Sequence, residues 1–166
     1  MITPAYARTM AAYNAEMNRR VYAAAARLDD AARRAARGAF FGSIHATLSH
    51  ILWGDRMWMS RLDGWERPPG NAAASTALFP DFAELSALRV ADDARIADWA
   101  GRLTQDRLDG DLTWFSGGTG REQTRPLGLI VAHLFNHQTH HRGQVHAMLT
   151  AAGEDTGATD LPFILP

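Results

Sequence analysis

Cysteine is absent from this chain of 166 residues. No disulfide, thiolate ligand or cysteine nucleophile can form, so any bound metal has to be held by imidazole, carboxylate or water, and any thiol in the chemistry comes from outside the chain. Also missing is an apolar run near the roughly 20 residues that cross a bilayer. The opening Met1-Ile2-Thr3-Pro4 has neither the charged start nor the apolar middle of a secretion signal, which makes the cytoplasm the expected location and leaves no membrane partner. No charge of one sign dominates: 17 basic against 18 acidic residues give a net charge of −1, and the basic face of a nucleic-acid binder is lacking. The nearest approach to one, Arg33, Arg34 and Arg37, has Asp29 and Asp30 beside it and reads as a solvated helix face.

What is present reads as one domain, residues 1–166, long enough for a real core. A first helix is expected over 4–28, capped by Thr3 with Pro4 in its first turn and with Met10, Tyr13, Met17, Val21 and Ala24 three or four apart. A short helical link covers 29–37 and stops near Gly38. A second helix runs from Ser43 to Leu62 and ends at Gly64. Residues 65–79, with Pro68, Pro69 and Gly70, form a loop about as long as a compact domain tolerates without a reason. Pro80 and Asp81 start a third helix that reaches Leu103 or Arg107, with Phe82, Leu85, Leu88, Val90, Ile96 and Trp99 as its apolar content. Residues 111–125 read as a small hairpin around Ser116-Gly117-Gly118-Thr119-Gly120, a plain turn lacking the Lys-Ser/Thr of a phosphate loop. Pro126 opens a fourth helix that runs to Ala151 and stops at Gly153. The apolar tail 160–166 is expected to pack back onto the bundle or onto a second subunit. Four long helices without strong strands make a four-helix bundle, all-α apart from the small hairpin before the last long helix.

The anomaly is histidine. The chain has seven, and His133, His137, His140, His141 and His146 all fall on the fourth helix. At about 100° per residue, His137 and His141 sit one turn apart on the face that carries Ile130, Leu134, Gln144 and Met148. Such a pair can put two ring nitrogens about 2.0–2.1 Å from one metal ion. His133 lies on the same side one turn earlier, His140 at the edge, and His146 nearly opposite His137. A third ligand is needed, and His50 shares an inward face with Ala46, Trp53 and Met57. His45 lies about 140° round from it and points elsewhere. Three histidines held in the core by neighbouring polar groups are the bland alternative, but each buried ring would then need its own partners.

Other residues carry weaker signals. Gln144, one turn beyond His141, is a candidate to orient a ligand ring, or else a buried glutamine bonded to backbone. Asp55 is a candidate proton acceptor for a ligand ring, with a surface salt bridge the favoured reading. Arg142 reads as structural. Gly143 in mid-helix costs about 1 kcal/mol against alanine, which points to another helix passing close by. Trp53, Trp58, Trp114 and Phe115 are read as core aromatics, with a pocket lining as the alternative.

The segment His137-Gln138-Thr139-His140-His141-Arg142-Gly143-Gln144, together with Ser49-His50-Ile51-Leu52, Asp55-Arg56-Met57-Trp58 and the closing Asp160-Leu161-Pro162, resembles the DinB/YfiT-like family of metal-binding four-helix bundles over nearly the whole chain. The resemblance implies a divalent ion, usually nickel or zinc, held by His50, His137 and His141, and it implies a homodimer. It also implies chemistry with a low-molecular-weight thiol such as bacillithiol or mycothiol and a small electrophile, a metal-dependent thiol transfer or a related hydrolysis. The chain lacks the extra C-terminal domain of the mycothiol-dependent isomerases, which sets that reaction apart. Three neutral imidazoles leave an ion its full charge and an open position, as catalytic sites do. The other reading is a stress-related bundle that binds a metal or ligand without turnover.

Overall fold

Five helices begin at a side chain that captures a free backbone N–H. In the computed structural model, which describes residues 1–165, Thr3 accepts from Tyr6 at the head of α1 (Pro4–Arg27) and Asp29 accepts from Ala32 at the head of α2 (Asp30–Arg34). Ser43 accepts from Ala46 ahead of α3 (Ile44–Leu62), Asp81 from Glu84 ahead of α4 (Phe82–Arg102), and Thr104 from Arg107 ahead of α5 (Gln105–Asp109). Each such cap is worth about 1 kcal/mol. The third long helix therefore stops at Arg102, because Thr104 recaps the chain and a separate short helix carries it to Asp109. Strands β1 (Asp111–Ser116) and β2 (Arg121–Pro126) pair antiparallel, with Asp111 opposite Pro126 and Ser116 opposite Arg121. They lead into α6 (Leu127–Ala151), and a last short turn, α7 (Leu161–Ile164), follows. Pro126 thus closes the hairpin and precedes the helix rather than sitting inside it.

Helix α1 packs on α4 and α6, and α3 packs on α6 and α4, which makes a four-helix bundle. Its interior holds two apolar clusters. One gathers Trp99, Leu108, Leu127, Leu134 and Phe135; the other gathers Val21, Ile44, Leu48, Leu85, Val145 and Leu149. Between them runs a buried polar layer. Arg89 Nη1 donates to Asp55 at 2.5 Å and its Nη2 lies 2.8 Å from Asp93, while Asn18 donates to Asp93 at 3.0 Å and Arg142 to Asn14 at 2.5 Å. Burial works against the Arg89 cation, but Asp93 and Asp55 outweigh it and hold its proton above the usual arginine range.

Several side chains stand differently from the sequence reading. Asp55 is fully buried rather than at a surface salt bridge. Arg33 is not simply solvated: it lies over the Phe82 ring and donates to the Leu28 carbonyl just past α1 and to the Ala25 carbonyl, which also accepts from Leu28 N. Val90 and Phe115 point outward, so neither contributes to the core. The tail meets α1 through Tyr13, whose hydroxyl donates to Thr159 O at 2.6 Å, but Phe163 is exposed. The last residue of the expected tail, Pro166, lies outside the described residues. No helix among the described residues is long and apolar enough to cross a membrane.

Candidate metal centre

Helices α3 and α6 run antiparallel, so residues four apart on one meet residues four apart on the other in descending order. The His50 ring faces His137 and His141, with ring centroids 5.3 and 4.8 Å away. One turn on, Gly54 faces His137; another turn on, Trp58 faces His133 at 5.1 Å. The first rung brings together three rings from two helices, and one nitrogen from each of His50, His137 and His141 lies within 4.8 Å of the other two.

Gly54 is what lets the helices approach. A β-carbon there would stand 3.0 Å from Cε1 of His137 and displace the ring. Gly143, the glycine expected to serve a close approach, has nothing within 4 Å of such an atom; the close-contact glycine is on the other helix.

The ring nitrogens are sorted by their neighbours. Ser75 sits on a short 3-10 turn (Ala74–Ala77) inside the long loop. Its hydroxyl donates to Ala72 O at 2.6 Å, so its oxygen accepts at 2.8 Å from Nδ1 of His50. That leaves Nε2 of His50 with its lone pair turned toward the other histidines. Gln144 does the same for His141: its carbonyl oxygen lies 3.2 Å from His141 Nδ1, and its amide nitrogen lies 3.1 Å from His140 Nε2. Both outer rings are thus held in the tautomer that offers Nε2. His137 has no partner beyond these rings: its Nε2 is 3.3 Å from Nε2 of His50, and its buried Nδ1 has none among the described residues. Two nitrogens each about 2.0–2.1 Å from one tetrahedral ion stand roughly 3.3–3.4 Å apart. The all-imidazole donor set and the 3.3 Å spacing fit a divalent cation better than they fit a packed core.

Charge supports this. Burial, with the neighbouring histidines, pushes His137 down to about 3; burial, with His141, pushes His50 down to about 4; and burial lowers His141 as well. All three are neutral at pH 7, the form that ligates. Phe41 covers one side, its ring 3.9 Å from His50 and 5.2 Å from His141, while His137 keeps partial access to solvent.

The remaining candidates lie apart from the three rings or around them. His45 is buried against Phe79 O at 2.7 Å, and His146 Nδ1 meets Thr156 Oγ1. Exposed His133 extends the row on α6 but is outside the cluster. Asp55 bonds to Arg89 and reaches no ligand ring. Arg142 lies in the polar layer, as a structural residue would. Trp53 is buried and donates to Pro69 O at 2.9 Å; Trp58 and Trp114 pack on one another beside His133. Sequence reasoning missed Ser75, Gly54 and Phe41. The overlong loop and a mid-helix glycine were the available signals for the first two; Phe41 gave none.

A family model described as the DinB family matches residues 1–165. No curated protein matches the chain.

Proposed function

Because this chain belongs to the DinB family, we propose that His50, His137 and His141 hold a divalent ion, nickel or zinc, and that the protein, as one domain, is a metal-dependent thiol transferase acting on a small electrophile. The observation that carries this reading is the convergence of three neutral imidazoles from α3 and α6, with no fourth protein ligand in the cluster among the described residues. When bound, such an ion supplies a positive charge and open positions that acidify a thiol near neutral pH. The chain's own residues do the rest. Ser75 and Gln144 fix the ring tautomers, Phe41 keeps water from one side, and the strip beyond His137 is left for substrate. Cytoplasmic location and a homodimer belong to the same proposal, supported by the family resemblance.

Elemental analysis of untagged protein, followed by a monochlorobimane assay with several thiols, tests it. Stoichiometric metal and metal-dependent turnover are expected. Protein that neither carries nor takes up nickel or zinc overturns the site, whereas metal without turnover for any thiol leaves a binding module.

Ser75→Ala frees the His50 ring without touching a ligand atom. Metal affinity is expected to fall about 10- to 100-fold, read by competition with a chelator; an unchanged affinity would show that the hydroxyl does not orient the ring.

Metal affinity is also expected to depend unusually weakly on pH. Protons compete with the ion only when a ring takes one up, and burial holds His50 at about 4, His137 at about 3 and His141 below the ordinary value of 6.5. The midpoint of the loss of affinity should therefore lie below 6.5, with the fall steepening toward 4 as His50 takes up a proton. A midpoint near 6.5 would mean that the rings are solvated.

A further inference from the structure

The row of rings does not end at the histidines. Past His137 it continues through His133, 5.7 Å away, to Trp58 at 5.1 Å from His133, and then to Trp114 of the hairpin, 5.7 Å from Trp58. It closes on Arg61, one turn beyond Trp58 on α3, whose guanidinium lies 4.5 Å from the centre of Trp58 and 5.6 Å from that of Trp114.

Arg61 is unusual among the arginines of this chain. Arg56, Arg89 and Arg102 all face carboxylates. Arg61 is half-buried, yet it makes no ion pair or hydrogen bond with a described residue. Two tryptophans fix its direction without using its N–H groups. Arg67, on the loop beside the hairpin turn at Gly117, adds a second positive charge nearby; burial and that charge both lower the Arg61 pKa. A guanidinium oriented by two rings and facing no carboxylate keeps its N–H groups free for an anion. Every one of the 17 basic residues is arginine, so anion recognition here uses the planar fork, which matches a carboxylate with two parallel bonds.

We propose that this strip binds an elongated substrate whose carboxylate pairs with Arg61, whose apolar middle lies on Trp58 and Trp114, and whose other end reaches the three histidines. This rests on the metal-site reading above. Gly54, level with His137, and Arg61 are seven residues apart on α3, about 10 Å along the helix axis, so the carboxylate and the donor group sit at opposite ends of a molecule of that length. Arg61 is a specificity residue in this scheme and takes no part in the bond that forms or breaks.

The test uses the whole protein loaded with cobalt(II), whose thiolate charge-transfer band reports binding at the metal. Short, medium and long ω-mercaptocarboxylates are titrated against the matching ω-mercaptoalcohols. A medium-length acid is expected to bind about tenfold tighter than its alcohol, and Arg61→Gln to remove that advantage while leaving the affinity for the alcohol and for cobalt unchanged. Equal affinity for acid and alcohol, or an equal loss of both in Arg61→Gln, overturns the carboxylate subsite; so does a protein that takes cobalt but binds neither compound. Failure to take up cobalt at all overturns the three-histidine site itself, a different result from any of these. Arg61→Lys, which keeps the charge but not the fork, should recover only part of the advantage; full recovery would overturn the bidentate pairing.

Discussion

His137→Ala is expected to abolish tight metal binding, with a loss of affinity greater than the roughly 100-fold that removal of an outer partner brings. His137 is the ring with no other occupation. Its buried Nδ1 has no partner among the described residues, and its Nε2 faces only another histidine. Removing it leaves two imidazoles and opens a cavity against Gly54. Isothermal titration with nickel or zinc on untagged protein reads the loss directly. His146→Ala serves as the comparison, since that ring meets Thr156 beside the tail and stands away from the cluster. The expected pattern is a large loss for His137 and little change for His146. Equal loss at both positions would mean that the ion sits elsewhere on α6, and no loss at His137 would return the three rings to the status of packed core. Thermal stability should follow the same pattern, rising with added metal in the wild type and in His146→Ala but not in His137→Ala.

Arg89→Met is expected to destabilise the fold by about 3–5 kcal/mol, because it strips the cation from two carboxylates that have left water. Asp55 is fully buried and Asp93 nearly so, and both face Arg89. For a chain of this size the loss corresponds to a fall in Tm of roughly 10 °C, measured by calorimetry. Its pH dependence has a definite sign. Burial already raises both carboxyl pKa values above the ordinary aspartate value, with Arg89 opposing the rise. Without Arg89 the rise is larger, so the folded variant holds protons that the unfolded chain has released, and its deficit shrinks as pH falls and widens as pH rises. Adding Asp55→Leu to Arg89→Met should restore part of the lost stability by removing one of the two unpaired charges. A double variant no better than the single one would show that the cost comes from lost packing rather than from uncompensated charge.

The helices were legible because their signals are local. Thr3, Ser43 and Asp81 cap α1, α3 and α4, and the apolar spacing behind each needs only the chain itself. His137 and His141 were legible as a pair for the same reason, and His50 followed from the phase of α3. What the sequence hid depends on where helices cross. Gly54 and Gly143 look alike in a sequence, each a mid-helix glycine of the same cost; only the contact between α3 and α6 singles out the first. Ser75 lies 25 residues from His50, and nothing in its neighbourhood shows which ring it serves. Asp55 was misread as part of a surface salt bridge because charge was assigned to the outside, a sound default that fails where carboxylates and a guanidinium are buried together, as with Asp55, Arg89 and Asp93. Phe115 was read as core together with aromatics at helical spacing, whereas the two-residue alternation of β1 turns it out.

The three rings lie between two apolar clusters that would hold α1, α3, α4 and α6 together whether or not an ion is present. The binding site is therefore a finished socket and not a product of loading. In a protein whose metal nucleates its folding, release of the ion unfolds the chain. If the proposed ion is held here, it would be able to leave and return while the scaffold stands, so the metal that fills the socket would be set by supply and exchange over the life of the molecule rather than at its synthesis.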